Sequence, residues 1–163
     1  MRRRRVLSAL FGTAVVPFAA ADLTVLRLED PRSGESLGVE RVEEGDRFAI
    51  HYVHSFDKTP IREVYEVRDG GIVQIREEFK YHAIGLEYTE GNQTREGEFT
   101  VLHMERRFDS FTVRVAKATD QSLVIGGEKR PLSSYTERWG SIRFSVERVS
   151  YLGYLRIMLD THL

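Results

Sequence analysis

The stretch RFAIHYVHSFDKTPIREVYEVRDGGIVQIREEFKY, residues 47–81, decides the fold of this chain. Apolar and polar side chains alternate with a period of two over residues 47–55, 61–68 and 72–81. That period is typical of half-buried β-strands, and Asp69-Gly70-Gly71 is a turn sequence between the second and third of them. The stretch therefore predicts three consecutive antiparallel strands, with a three-residue loop joining the last two.

The same alternation continues outside this stretch. Five further segments have it, at residues 23–28, 98–104, 111–117, 122–125 and 141–149. Short strands separated by turn residues, with hardly any helical pattern between them, are typical of antiparallel sandwiches and small barrels. Residues 150–163 differ, because apolar residues recur there every three or four positions. We expect a mostly β protein, an antiparallel β-barrel or β-sandwich with a short C-terminal helix.

The first 21 residues form a different kind of segment. Four arginines, Arg2 to Arg5, precede the uncharged residues 6–21, which end in Ala19-Ala20-Ala21. This order matches the n-region, h-region and cleavage site of a secretory signal. We expect residues 1–21 to be a signal peptide and residues 22–163 a single exported, periplasmic or extracytoplasmic domain. An uncleaved N-terminal segment that tethers the domain to the membrane stays open as an alternative.

Charge and composition narrow the class of function. Without residues 1–21 the chain keeps 20 of its 24 basic residues and all 25 acidic ones, and 20 − 25 gives a net charge of −5. We therefore expect no nucleic-acid partner, since such binding relies on clustered Lys and Arg. The absence of cysteine excludes disulfides, thiolate metal sites and a cysteine nucleophile. Glycine-framed nucleophile, phosphate-loop and paired helical histidine motifs are also missing, so we expect no enzymatic activity.

A row of polar side chains is predicted on the inner face of the sheet. Hydrophobic matching of the first two strands pairs Tyr52 with Tyr65 and His54 with Glu63. The next hairpin pairs Val67 with Val73, Tyr65 with Ile75 and Glu63 with Glu77. The three polar side chains His54, Glu63 and Glu77 are thus expected to lie side by side across three strands.

Such a row needs neutralisation, because two carboxylates facing each other on an apolar surface cannot both ionise without a cation, a shared proton or strong hydrogen bonds. A metal ion held by the imidazole and the two carboxylates is one solution, since these are ordinary ligands of zinc and manganese. Arg148, at the end of the last strand, is a second. A third is a small polar ligand or ion beside the loop that contains Ser55 and Thr59. The candidate ligand-binding residues are His54, Ser55, Thr59, Glu63, Glu77 and Arg148.

The motif His54-Ser55, Thr59-Pro60 and Glu63 resembles a bacterial and archaeal family of exported small domains of unknown function. Residues 111–117, 121–125 and 130–132 resemble the same family. Its members are often encoded beside the permease and substrate-binding subunits of TRAP-type transporters of the TAXI class. The resemblance implies an exported accessory module with a membrane permease or a substrate-binding subunit as its partner. It implies no particular cofactor, and a lipocalin-like carrier of small ligands stays open as a rival interpretation.

Overall fold

The computed structural model describes residues 22–56, 58–80, 92–116, 119–137 and 139–161. The described strands form two antiparallel sheets, which confirms the mostly β prediction. The sheets do not close into a barrel, so the sandwich is the alternative that applies. Within these residues, no helix combines the length and the apolar character that crossing a membrane requires. The predicted signal peptide, residues 1–21, lies outside the described residues.

The described elements follow the chain in the order β1 (Asp22–Glu29), β2 (Ser36–Arg41), β3 (Arg47–Val53), β4 (Pro60–Arg68), β5 (Gly71–Phe79), β6 (Asn92–Glu96), β7 (Phe99–Phe108), β8 (Ser110–Arg114), β9 (Ser122–Ile125), β10 (Glu128–Pro131), β11 (Ser141–Ser150) and α1 (Tyr151–Thr161). The smaller sheet has the strand order β2-β1-β11-β8. The larger sheet has the order β10-β9-β3-β4-β5-β7-β6. The three strands predicted from residues 47–81 therefore lie at the centre of the larger sheet.

All eight predicted strands are present, and the described residues contain three further strands that the sequence pattern did not predict. The missed strands β2, β6 and β10 each lie at an edge of a sheet. All five residues of β6 are exposed, and three of the four in β10 are. An edge strand with little buried surface needs no apolar face, so the alternation that reveals a strand is absent from its sequence.

The core lies between the inner faces of the two sheets. The smaller sheet contributes Leu26 and Leu28 from β1 and Ile142 and Phe144 from β11, all fully buried. The larger sheet contributes fully or almost fully buried side chains from its central strands and β9, which are Phe48, Ile50, Tyr65, Val67, Ile72 and Leu123. The inward positions within β3, β4 and β11 follow the period-two pattern read from the sequence.

The helix α1 begins directly after β11. The Gly153 N–H donates to the Ser150 hydroxyl oxygen at 3.1 Å, so Ser150 caps the first turn. α1 packs mainly against β2, and none of its described residues is buried. The predicted C-terminal helix is confirmed, although residues 162 and 163 lie outside the described residues.

Candidate functional site

The loop between β3 and β4 sets the position of Glu63. The His54 N–H donates to the Thr59 carbonyl oxygen at 2.8 Å and closes the loop tightly. The strands then pair Ile50 with Glu63. The predicted pairing of His54 with Glu63 is wrong by 54 − 50, or four, residues. An even slip leaves every side chain on the same face, so hydrophobic matching does not detect it.

The hairpin between β4 and β5 brings two carboxyl groups together. Glu63 lies opposite Glu77, as predicted. The loop contains only Asp69 and Gly70, with φ values of 51° and 69°, rather than the predicted three residues. Positive φ at both central residues is what a two-residue type I′ turn requires. A bulge at Ile75 inserts one residue into β5 and compensates for the shorter loop.

Between the bulge and the turn, the observed residue pairs differ from the predicted pairs by one position. Tyr65 was expected opposite Ile75 and instead lies opposite Gln74. Val67 was expected opposite Val73 and instead lies opposite Ile72. Beyond the bulge the predicted register is restored, which is why the pairing of the two glutamates is confirmed.

Two tyrosine hydroxyls bind the Glu63 carboxylate. The Tyr52 hydroxyl donates to Oε1 at 3.0 Å, and the Tyr65 hydroxyl donates to Oε2 at 2.7 Å. Burial and the negative charge of Glu63 raise the pKa of both tyrosines well above the ordinary value of 10.0. Both hydroxyls therefore keep their protons and act as fixed donors to a carboxylate.

Glu77 is the more deeply buried of the two acids. Its side chain is 5% exposed, and burial, followed by the negative charge of Glu63, raises its pKa from 4.5 to about 7. The positive charge of Arg106 on β7 opposes this shift. The pair thus combines a hydrogen-bonded carboxylate with a second acid that exchanges its proton near neutral pH.

Tyr65, which binds Glu63, belongs to a stack of aromatic rings. Tyr65 stacks on Phe48 at a centroid distance of 5.2 Å and on Phe111 of β8 at 4.6 Å. Phe111 stacks in turn on Phe144 at 5.0 Å, so the rings connect the two sheets. A cavity of about 310 Å³ opens beside this stack, and Tyr52 and Glu63 contribute to its lining. The full lining is Ile50, Tyr52, Glu63, Tyr65, Phe111, Thr112, Val113, Arg114 and Gln121.

A second cavity, of about 400 Å³, adjoins the first at Gln121, which lines both. The Gln121 amide donates to the Arg114 carbonyl oxygen at 3.0 Å and accepts from the Ala116 N–H at 2.8 Å. Nearby, the Arg114 guanidinium lies 5.8 Å from the centre of the Trp139 ring. Trp139 is 53% exposed and has a left-handed φ of 70°. Trp139 therefore exposes its indole ring from a strained backbone conformation, and it is not among the residues that line either cavity.

The predicted loop residues lie apart from the Glu63–Glu77 pair along the hairpin. His54 follows the end of β3, four residues beyond the partner of Glu63. Ser55 is exposed, and its carbonyl oxygen accepts from the Lys58 ammonium at 2.7 Å. Thr59 is half-buried and accepts from His54 through its backbone. The loop residues therefore stabilise the turn that fixes the register of Glu63.

The predicted metal site of His54, Glu63 and Glu77 is not formed. The register places Ile50 where His54 was expected, so the row has two carboxylates and no imidazole. In the described part of the chain, no group of three or more His, Asp or Glu side chains is arranged to hold a metal ion. The sequence prediction failed because the third ligand depended on the register that the loop shifted.

Arg148 does not act as the predicted counter-ion. It is exposed on β11, opposite Thr24 of β1. The two acids are instead accommodated by the hydroxyls of Tyr52 and Tyr65, by a proton on Glu77 and by the charge of Arg106.

The period-two pattern places Tyr52 and Tyr65 on the correct face but indicates no role for either. Glu63 and Tyr65 are two residues apart on one strand, which is the spacing of neighbours on one face. That spacing was the available signal for a hydroxyl beside the carboxylate. No comparable signal revealed Phe111 and Gln121, which come from distant parts of the sequence.

The fold and the site together define a class of protein. It is an antiparallel β-sandwich domain with a cavity between its sheets, and the wall of this cavity contains Glu63 and the two tyrosines that bind it. Residues 48–132 match the family described as a domain of unknown function, DUF1850. This match covers just over half of the chain, and the protein belongs to that family. The matched region includes Glu63, Glu77 and both tyrosines that bind Glu63. Neither a curated protein nor a solved structure matches the chain.

Proposed function

We propose that this protein is an exported, non-enzymatic binding module that takes a small, positively charged ligand beside Glu63. The observation that carries the proposal is the carboxylate of Glu63, held by two tyrosine hydroxyls at the wall of an aromatic-lined cavity of about 310 Å³. That volume lies at the lower end of the range for small-molecule sites. The hydroxyls fix the carboxylate before a ligand arrives, so binding need not order it.

The charge of the site favours an ammonium group. A carboxylate has about four lone-pair sites, and the two tyrosines use two of them. The remaining sites can accept N–H bonds from an ammonium ion, and aromatic rings attract the same charge. Arg114, which also lines the cavity, has its guanidinium near the Trp139 ring.

Glu77 supplies a second negative charge when it loses its proton. Its pKa of about 7 is raised by burial and by the negative charge of Glu63, and the positive charge of a bound cation would oppose this rise. Binding of a cation should therefore release the Glu77 proton. Below neutral pH this release costs free energy, so affinity is expected to rise as the pH increases through about 7.

Three ligands of matched size test the proposal. We expect n-butylammonium to bind the purified protein in isothermal titration, whereas n-butanol and butyrate do not. Glu63→Gln should abolish the binding of n-butylammonium. Glu78→Gln, on the opposite face beside Arg62 and Arg76, is the matched control and should leave it unchanged. Equal binding of the alcohol and the ammonium ion would contradict the proposal.

The same variants test the lipocalin-like alternative. A carrier with an apolar cavity should bind an apolar fluorescent probe in the wild-type protein, and Glu63→Gln should leave that binding intact. Elemental analysis of the purified protein tests the metal alternative, for which we expect no bound zinc or manganese.

We also propose that the module works beside a TRAP-type transport system of the TAXI class. The resemblance of the His54–Glu63 motif supports this second proposal. Its partner would be the permease or the substrate-binding subunit. Tagged protein should co-purify with one of these subunits when all are expressed together from the native gene cluster. Failure of this capture would remove the transporter role and leave ligand binding as a separate question.

A further inference from the structure

The helix α1 has two different apolar faces. One face is turned towards β2: Tyr154 and Met158 line a cavity of about 540 Å³ together with residues of β2, and the Thr161 hydroxyl lies 3.3 Å from the Ser36 hydroxyl. The other face shows three leucines at helical spacing to solvent, and these are Leu152 (60% exposed), Leu155 (38%) and Leu159 (65%). Spacings of three and four residues place them in one row along the helix. This leucine row makes no contribution to the buried core of the described residues.

The row begins at the point where the N-terminal sequence reaches the fold. Asp22 is the first residue of β1, and it pairs with Ser150, the residue before α1. The chain before Asp22 has sixteen uncharged residues, 6–21, preceded by Arg2 to Arg5. A membrane that held the uncharged segment would therefore lie close to the first turn of α1.

We infer that the leucine row lies in the surface of the lipid bilayer that receives the N-terminal segment. Amphipathic helices bind membranes by burying a row of this kind at the boundary between headgroups and acyl chains. Arg156 beside the row and Arg148 on β11 are both exposed and would face anionic headgroups, although Asp160 lies 3.9 Å from Arg156. The inference applies to the chain that keeps its N-terminal segment: this tether makes docking intramolecular, so a short row suffices.

A second copy of the chain is the less suitable occupant. A stable protein interface buries roughly 800 Å² on each partner. A single row of three leucines on an eleven-residue helix offers much less. The inference uses the predicted N-terminal segment but not the Glu63 site, so its failure would leave the ligand proposal untouched.

The absence of native cysteine allows a direct test. The full chain with Leu159→Cys, made by cell-free synthesis with vesicles of phosphatidylcholine and phosphatidylglycerol, is labelled with an environment-sensitive fluorophore. We expect a blue-shifted emission that nitroxide-labelled lipids quench and aqueous iodide does not. Gln93→Cys, exposed on β6 at the edge of the larger sheet, is the control. Its fluorophore should be quenched by aqueous iodide and not by the nitroxide-labelled lipids.

Two further variants make the outcome decisive. Leu152→Gln and Leu155→Gln, combined in the labelled chain, should remove quenching by the nitroxide lipids while the circular dichroism spectrum is unchanged. Iodide access at position 159 equal to that at position 93 would overturn the inference. A blue shift without lipid quenching would also overturn it, because it would mean that the N-terminal segment or a second copy covers the row.

Discussion

Glutamates on the two faces of the larger sheet have pKa values that are shifted in opposite directions. Glu66 lies on the outer face, where hydrogen bonds from Arg68 and Arg47 lower its pKa below the ordinary value. Glu77 lies on the inner face, where burial and the charge of Glu63 raise its pKa to about 7. On the outer face, arginine guanidinium groups bind the glutamates. On the inner face, tyrosine hydroxyls bind Glu63, and Glu77 keeps its proton up to about neutral pH.

The comparison is sharpest for two neighbours in sequence. Glu78 receives Arg62 at 3.1 Å and Arg76 at 2.8 Å on the outer face. Glu77, one residue earlier, has no such partner among the described ion pairs and is 5% exposed. Alternation along a strand thus places adjacent carboxyl groups in different environments, and burial raises the pKa of only the inner one to about 7.

The largest effect is expected from Glu63→Ala. It leaves the hydroxyls of Tyr52 and Tyr65 without their acceptor and opens a space in the sheet. We expect the free energy of unfolding in urea to fall by about 3 to 4 kcal/mol at pH 5, which lies below the pKa of about 7 of Glu77 in the wild type. The matched change on the outer face, Glu66→Ala, should cost much less, because it removes only solvent-exposed ion pairs. Equal losses would show that the two faces do not differ.

The pH dependence of stability is expected to follow Glu77. Its folded pKa of about 7 exceeds the unfolded value of 4.5, so the folded chain binds this proton more tightly. This contribution is complete below about pH 4.5 and is lost as the pH rises through about 7, with a total change of up to about 3 kcal/mol.

Urea unfolding of the wild type and of Glu77→Gln, measured across this range, isolates the contribution. The difference between the two curves should follow the stated direction, since Gln does not titrate. Glu66→Gln should be less stable than the wild type above about pH 4.5 and should approach it as the pH falls, because the lowered pKa of Glu66 gives stability that is lost in acid. A wild-type curve parallel to that of Glu77→Gln would contradict the assignment.

Removal of one of the two hydrogen-bond donors to Glu63 should lower the free energy of unfolding by an intermediate amount. Tyr65→Phe deletes the 2.7 Å hydrogen bond to Glu63 and keeps the ring that stacks on Phe111. We expect a loss of about 2 kcal/mol in the free energy of unfolding, the size of a hydrogen bond to a charged group. In a double-mutant cycle with Glu63→Gln the two losses should be less than additive. Full additivity would mean that the two side chains do not interact.

The smallest effect is expected on the outer face. Arg62→Ala removes one of the two guanidinium groups beside Glu78 and should cost about 0.5 kcal/mol. Added salt should reduce this loss, since the Arg62 side chain is 42% exposed. A loss above that of Tyr65→Phe, or one that is independent of salt, would reverse the contrast between the faces.

Local pattern was sufficient for much of the fold. Residues 47–81 predicted three strands, their inner faces and the pairing of Glu63 with Glu77, and all three are confirmed. The register between β3 and β4 was not available from the pattern, because a shift by an even number of residues changes no face. The position of His54, and with it the predicted metal site, depended on that register.

The sequence by itself determined the class of fold and which side of each central strand faces the core, because a period of two is a property of neighbouring residues. Tertiary structure decided which side chains meet Glu63. The closure of the loop at Thr59, the bulge at Ile75 and the approach of Phe111 from the other sheet depend on the geometry of whole strands. The cavity beside Glu63 is formed by contacts of this second kind, and a linear pattern of apolar and polar residues contains no information about them.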